Sequence, residues 1–155
     1  MSYVSRILQP GEQRLHTGRI HWVVYLPPLV VCLAGLVLWI VALNREAPGL
    51  LTTTSFVLAA LCGIGGLIWL AWAWFDTWIT EIEITDRRVI YKRGFIFRRT
   101  SEMNMDKIES VDVDQSILGR ILNYGTITIR GTGESQEPFK TVADPLEFRN
   151  RITAR

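Results

Sequence analysis

Asp112 and Asp114 are the residues of this 155-residue chain best spaced for acid–base chemistry. Two positions apart, they share one face of any strand that contains them, and paired carboxylates can relay a proton or hold a hard cation. Glu102, Asp106 and Glu109 lie close by in sequence and would extend such a site. A cation-dependent hydrolase using Asp112 and Asp114 is nevertheless the weakest of three functional readings. Six basic residues, Arg87, Arg88, Lys92, Arg93, Arg98 and Arg99, come just before the acidic run and offer cross-strand partners. An ion-paired, solvated face therefore accounts for the carboxylates without a reaction. The sequence carries no Ser, His and Asp set in motif context, no cysteine nucleophile motif and no glycine-rich phosphate loop after a strand. Gly63, Gly65 and Gly66 fall inside an apolar run, where they cannot open a nucleotide-binding turn. The chain reads as a non-enzyme with no cofactor, no metal and no identifiable small-molecule substrate.

The basic cluster is the sharper candidate for binding. Arg88, Lys92, Arg93, Arg98 and Arg99 sit on one expected hairpin, and each would contribute about 1 kcal/mol near an anionic leaflet. Strand alternation divides them: Arg88 and Lys92 point one way and Arg93 the other, so only part of the set can face lipid headgroups together. Nucleic acid is excluded as a partner by charge balance. Residues 76–155 carry thirteen Lys plus Arg and thirteen Asp plus Glu, and the formal net charge of +2 comes from the first 22 residues. A phosphate-tracking surface needs a basic domain.

The elements that must position these residues begin with two long uncharged runs, 23–43 and 50–75, joined by Asn44, Arg45, Glu46, Ala47, Pro48 and Gly49. As a helix the first spans about 31 Å, the thickness of a hydrocarbon core. Thr52, Thr53, Thr54 and Ser55 begin the second, where their hydroxyls can bond back to the helix backbone. All six tryptophans, Trp22, Trp39, Trp69, Trp72, Trp74 and Trp78, lie in or beside the runs, as amphipathic rings do at membrane interfaces. The expectation is a two-helix transmembrane hairpin over 23–75. Arg6, Arg14 and Arg19 before it, and Arg87, Arg88, Lys92 and Arg93 after it, put both termini on the cytoplasmic side. Cys32 and Cys62 fall one in each run and read as packing residues, not as a disulfide or zinc site. Ala59 with Gly63, and Cys62 with Gly66, place small residues one turn apart where another helix, the first run or a second copy, can approach.

Residues 1–22 form an N-terminal segment in which Tyr3, Val4, Ile7 and Leu8 recur at helical spacing, as in a short amphipathic helix. Beyond the runs, the pattern changes to alternation. Residues 78–85 place Ile82 and Ile84 on one face against Glu81 and Glu83 on the other. Further strands are expected at 89–93, 95–101, 108–115, 124–130 and 138–142, with an apolar turn at 117–123. A closing helix follows, with Asp144 as N-cap, Pro145 in its first turn, and Phe148 and Ile152 inward.

The stretch Asp106, Lys107, Ile108, Glu109, Ser110, Val111, Val113, Gln115, Ser116, Ile117, Leu118, Gly119, Arg120, Ile121, Leu122, Asn123, Tyr124, Gly125 and Thr126 resembles the signature of the bacterial pleckstrin-homology-like domain family. Thr85, Arg88 and Gly94 fit its early strands; Pro145, Phe148, Arg149 and Ile152 fit its closing helix. Pro10, Gly11, Glu12, Gly18, Arg19, His21 and Trp22 fit its lead-in to the membrane hairpin. The resemblance implies the small membrane-anchored two-span subgroup, with residues 76–155 as a bent or partly closed antiparallel β-barrel capped by a C-terminal α-helix. It implies a structural role for Lys107, Ile108, Val111, Gln115, Ser116, Leu118, Gly119, Arg120, Tyr124, Gly125 and Thr126, and residence in the bacterial cytoplasmic (inner) membrane as a multi-pass protein. The first functional reading is a non-enzymatic interaction module that helps assemble or stabilise a membrane complex at the cytoplasmic face. Its partners would be membrane lipids and a membrane protein or further copies of itself. The second reading is a sensor of anionic headgroups through the basic hairpin.

Overall fold

The computed structural model describes residues 9–45, 49–94, 99–132 and 136–153. The chain divides into two compact units, one of Trp22–Phe75 and the other of Met1–His21 with Asp76–Arg155.

In the first unit, a 3-10 turn at Trp22–Tyr25 leads into α1 (Leu26–Leu43). Pro27 and Pro28 occupy its first turn, where a missing N–H costs no hydrogen bond. Asn44 closes it by donating from its side-chain amide to the Ile40 carbonyl at 2.8 Å. The second helix, α2 (Leu50–Ile79), opens with the expected back-bonds: Thr53 donates to Gly49 O, and Thr54 and Ser55 to Leu51 O, at 2.7–3.2 Å. The two helices pack antiparallel through small residues. A Cβ on Gly66 would stand 2.5 Å from the Cys32 sulfur, and one on Gly35 would stand 2.9 Å from the Gly63 nitrogen and 3.1 Å from the Ala59 carbonyl. Thus Ala59, Cys62, Gly63 and Gly66 all lie at or beside the α1 contact, and Gly35 is the partner that sequence spacing did not single out. Trp39 stacks edge-on against Phe56. Most other side chains of the pair are exposed and apolar, and both helices are long and apolar enough, by length and composition, to cross a membrane.

The second unit is an α+β fold of two antiparallel sheets. Its strands are β1 (Arg14–Gly18), β2 (Glu81–Thr85), β3 (Arg88–Arg93), β4 (Arg99–Asn104), β5 (Ile108–Asp114), β6 (Tyr124–Gly131) and β7 (Gln136–Ala143). One sheet runs β1-β2-β3-β4 and the other β5-β6-β7. Two further helices, α3 (Ile117–Leu122) and α4 (Pro145–Thr153), complete it. Ile82, Ile84 and Val89 from one sheet meet Ile127, Ile129, Phe139 and Val142 from the other, with Phe148 and Ile152 of α4 closing the core.

This arrangement corrects the expected fold class. The strands form two separate sheets and not one bent or closed barrel, because the 3-10 turn Met105–Lys107, anchored by buried Met105, ends β4 and starts β5 in the other sheet. The helical part shows two apolar helices of sufficient length, and it does not simply precede the β-domain as expected. It interrupts the domain, since β1 lies before it and pairs with β2 after it, Gly18 opposite Ile82 and Thr17 opposite Glu83. Five residues of mixed polarity, Arg14, Leu15, His16, Thr17 and Gly18, carry too little alternation to read as a strand.

Smaller differences have local causes. The helix α2 runs on through Trp78 and Ile79, which carry no helix-breaking residue, so β2 starts only at Glu81. Glu83 is buried, not solvated; it lies opposite Thr17 of β1, and Arg14 approaches its carboxylate at 3.5 Å. The stretch 117–122 is a helix, with the Ser116 hydroxyl accepting from the Gly119 amide and Asn123 in the left-handed conformation behind it. The residues expected to form an N-terminal amphipathic helix, Tyr3, Val4, Ile7 and Leu8, lie outside the described residues.

The helix contact predicts an asymmetry among neighbouring glycines. Gly65 has open space around its Cβ position whereas Gly66 has none. Gly66→Ala should lower the melting temperature of the protein in detergent micelles, by an overpacking cost of about 1–3 kcal/mol, while Gly65→Ala leaves it unchanged or raised.

Candidate functional site

Gly11, with φ at +84°, turns the chain so that Glu12 enters the β-unit from outside its first strand. The Glu12 side chain is fully buried, and every donor it meets is specific. Arg88 of β3 grips both oxygens, Nε to Oε1 at 3.0 Å and a terminal nitrogen to Oε2 at 2.9 Å. The Thr85 hydroxyl donates to Oε1 at 2.7 Å and the Gln9 amide to Oε2 at 2.9 Å. The other Arg88 terminal nitrogen reaches Glu102 at 2.7 Å. These hydrogen bonds, Arg88's foremost, hold the Glu12 carboxyl down to about 2 although burial alone would raise it. The network fastens the N-terminal lead to the β2–β3 hairpin. It is aided by an exchange of bonds between Gln13 and Asp86.

The basic hairpin is therefore occupied from within. Arg88 serves Glu12 and Glu102; Lys92 faces its cross-strand neighbour Glu81 at 3.9 Å; Arg93 grips Asp76 through two nitrogens at 2.9 and 3.3 Å. Arg98 lies outside the described residues, and Arg99 is described only as the strand residue opposite Arg93. Sequence spacing missed Glu12 as the partner of Arg88, for the two stand 76 positions apart. Asp112 is likewise matched, by Arg130 at 2.9 Å, and Asp114 lies opposite Thr126. Among the described residues no three His, Cys, Asp or Glu come together in a way that could hold a metal ion.

The signature residues converge on the corner around α3. Gln115 donates from its side-chain amide to the Tyr124 carbonyl at 3.1 Å, and Ser116 caps α3. Gly119 is required there, since a Cβ would lie 2.7 Å from that same Tyr124 carbonyl; one on Gly125 would lie 2.8 Å from the Asp114 carbonyl. Thr126 pairs across to Asp114, Ile108 and Val111 pack on the core, and the Lys107 carbonyl accepts from the Thr132 amide. Leu118 and Arg120 instead face outward.

The edge where the chain leaves this unit is built from both flanks of the helical insertion. Arg19 accepts from Ala143 and His21 donates to Thr141 through the backbone, both at 2.8 Å, so the segment after β1 runs along β7 and ties the two sheets together. The His21 ring stacks on Tyr124 with centroids 5.3 Å apart. Beside it, Arg14, Thr17, Arg19, Thr77, Thr80 and Glu81 border a cleft of about 460 Å³. Guanidinium and hydroxyl groups there can bind a ligand; none of them forms a nucleophile and base pair.

The family described as Bacterial PH domain matches residues 23–155, a stretch that includes both apolar helices. No curated protein and no solved structure matches the chain.

The Glu12 lock makes stability depend on pH in a stated direction. Its folded value lies below the ordinary 4.5, so its contribution is complete above about pH 4.5 and is lost as pH falls toward 2. Glu12→Gln should cost about 3 kcal/mol at neutral pH by replacing the buried carboxylate that grips half-buried Arg88 with a neutral amide, Arg88 keeping only Glu102 as an anionic partner. Unfolding of the wild-type and variant chains in micelles should show that difference shrinking as the solution is acidified through this window.

Proposed function

The chain belongs to the bacterial PH domain family, whose domains are non-catalytic, and we propose that it is a membrane-anchored interaction module that helps assemble or stabilise a membrane protein complex at the cytoplasmic face. One observation carries the reading. The strands β1 and β2 are hydrogen-bonded neighbours in one sheet, yet the whole apolar helix pair lies between them in sequence. Both flanks of the pair must then lie on the same side of any membrane it enters, so a chain that crosses once has to cross back. The two helices supply two crossings.

Charge supports the same topology: Arg14 and Arg19 flank one end and Arg87, Arg88, Lys92 and Arg93 follow the other, against Arg45 beside Glu46 in the connection. The protein on this reading is a multi-pass protein of the bacterial cytoplasmic membrane with both termini inside. Interaction fits the β-unit better than headgroup recognition by the hairpin, because Arg88, Lys92 and Arg93 already face carboxylates of their own domain. The partner is a second membrane protein or further copies of this chain, with lipid as the surrounding medium.

Extraction from native membranes in a mild polymer, followed by native mass spectrometry, tests this directly. A stoichiometric protein partner or a defined self-oligomer is expected. A lone chain retaining one selected anionic lipid would overturn the assembly reading in favour of lipid sensing. Tags at the two termini should both become accessible only when the inner membrane is opened, and a tag exposed on the outer side would overturn the topology.

A further inference from the structure

The helix α3 presents an apolar face that no described residue of its own unit covers. Ile117 is 80% exposed, Leu118 64% and Ile121 72%, and the outward residue among them is Arg120. Single exposed apolar side chains are ordinary, but three on a six-residue helix make a contiguous patch. The helix is also held firmly. Its N-terminus is capped by Ser116, its first turn is bound by Gln115, and Asn123 behind it adopts φ of +59° and donates to Asp144 at the start of α4. So many constraints on so short a helix fix the direction in which the patch faces.

We propose that Ile117, Leu118 and Ile121 insert into the headgroup and acyl boundary of an anionic leaflet, with Arg120 meeting lipid phosphate. Two observations choose lipid as the occupant. The first is continuity. Gly119 lies against the Tyr124 carbonyl, the Tyr124 ring stacks on His21, and His21 is the residue immediately before the apolar stretch Trp22–Leu43. The helix that carries the patch is therefore linked through Tyr124 to the residue at which the chain departs for its apolar helices. The second is composition. Three large aliphatic side chains with one guanidinium, and a second exposed guanidinium on Arg19 beside His21, match an interface whose inner layer is hydrocarbon and whose outer layer is phosphate. The inference rests on the membrane-spanning reading proposed above and adds a third point of contact to it, one that would set how the β-unit is held against the leaflet.

The test uses the full chain with Cys32→Ala and Cys62→Ala, carrying a single environment-sensitive NBD label at Leu118→Cys. The protein is reconstituted in vesicles of phosphatidylcholine with phosphatidylglycerol. Labels at Leu61→Cys on α2 and at Thr132→Cys after β6 serve as references, and Ile121→Cys repeats the measurement on the patch. At positions 118 and 121 the expected result is blue-shifted emission, quenching by lipids with a nitroxide near the headgroup, and protection from aqueous iodide. Adding Arg120→Glu should weaken that lipid quenching, and more so in vesicles rich in phosphatidylglycerol. Free access of iodide at both positions, with the Leu61 label still quenched by deep nitroxides, would overturn the proposal and leave the membrane reading standing. Protection from iodide and lipid nitroxide alike, with label self-quenching, would overturn it in favour of a second copy covering the patch. Loss of deep-nitroxide quenching at position 61 would overturn the spanning reading and this proposal with it.

Discussion

The pairing of β1 with β2 is the constraint on which the remaining architecture depends. Neighbouring strands of a hairpin normally close over a few residues; here the closure encloses two helices. Loop-closure entropy grows only slowly with length, so the added cost is modest if the insertion brings its own ends together. Antiparallel packing of α1 on α2 through Gly35 and Gly66 does that, returning the chain toward the level at which it left. The helix pair thus narrows the search for β1.

An edge strand of five residues has little packing of its own, and the Glu12–Arg88 lock supplies what it lacks. A buried ion pair is weak evidence for net stability, since desolvation offsets much of the attraction. Its stronger effect is on register. Sliding β1 by one residue against β2 would carry Glu12 away from Arg88 and Thr85 and leave a carboxylate buried without donors, and it would also push a larger residue into the place of Gly18. That glycine has Phe148 of α4 2.9 Å from where a Cβ would stand. Polar and steric penalties therefore agree on one pairing. The same internal matching explains why a hairpin so rich in arginine belongs to a domain with no surplus charge: Arg88, Lys92 and Arg93 each have a carboxylate within the domain.

Features that follow from local periodicity were legible in the sequence, and those that depend on long-range partners were not. The apolar runs, the inward set Ile82, Ile84, Ile127 and Ile129, and the closing helix with Phe148 and Ile152 each announce themselves within a dozen residues. The two-sheet arrangement is not announced, because the turn at Met105–Lys107 consists of three residues with no Gly or Pro to mark it. Nor is β1, whose only apolar side chain, Leu15, is itself half exposed. The partners of Arg88 are hidden for the same reason: a run of basic residues does not show which carboxylates approach it in space. At α3 the sequence shows the composition and not the exposure, since Ile-Leu-Gly-Arg-Ile-Leu reads by composition as something to be buried.

That last case bears on what the signature stretch is for. Gln115, Ser116, Gly119 and Gly125 bond to or make room for backbone. A motif of this kind specifies a shape. The shape is a rigid corner with aliphatic side chains pointing outward, tied through Tyr124 to the residue from which the chain departs for its apolar helices. Burying Ile117, Leu118 and Ile121 inside the unit would have been the easier course for stability, at about 1.5–3 kcal/mol for each side chain fully removed from water. A domain that forgoes that gain, and holds the helix outward with two caps and a glycine contact, has its exposed face matched to something outside itself.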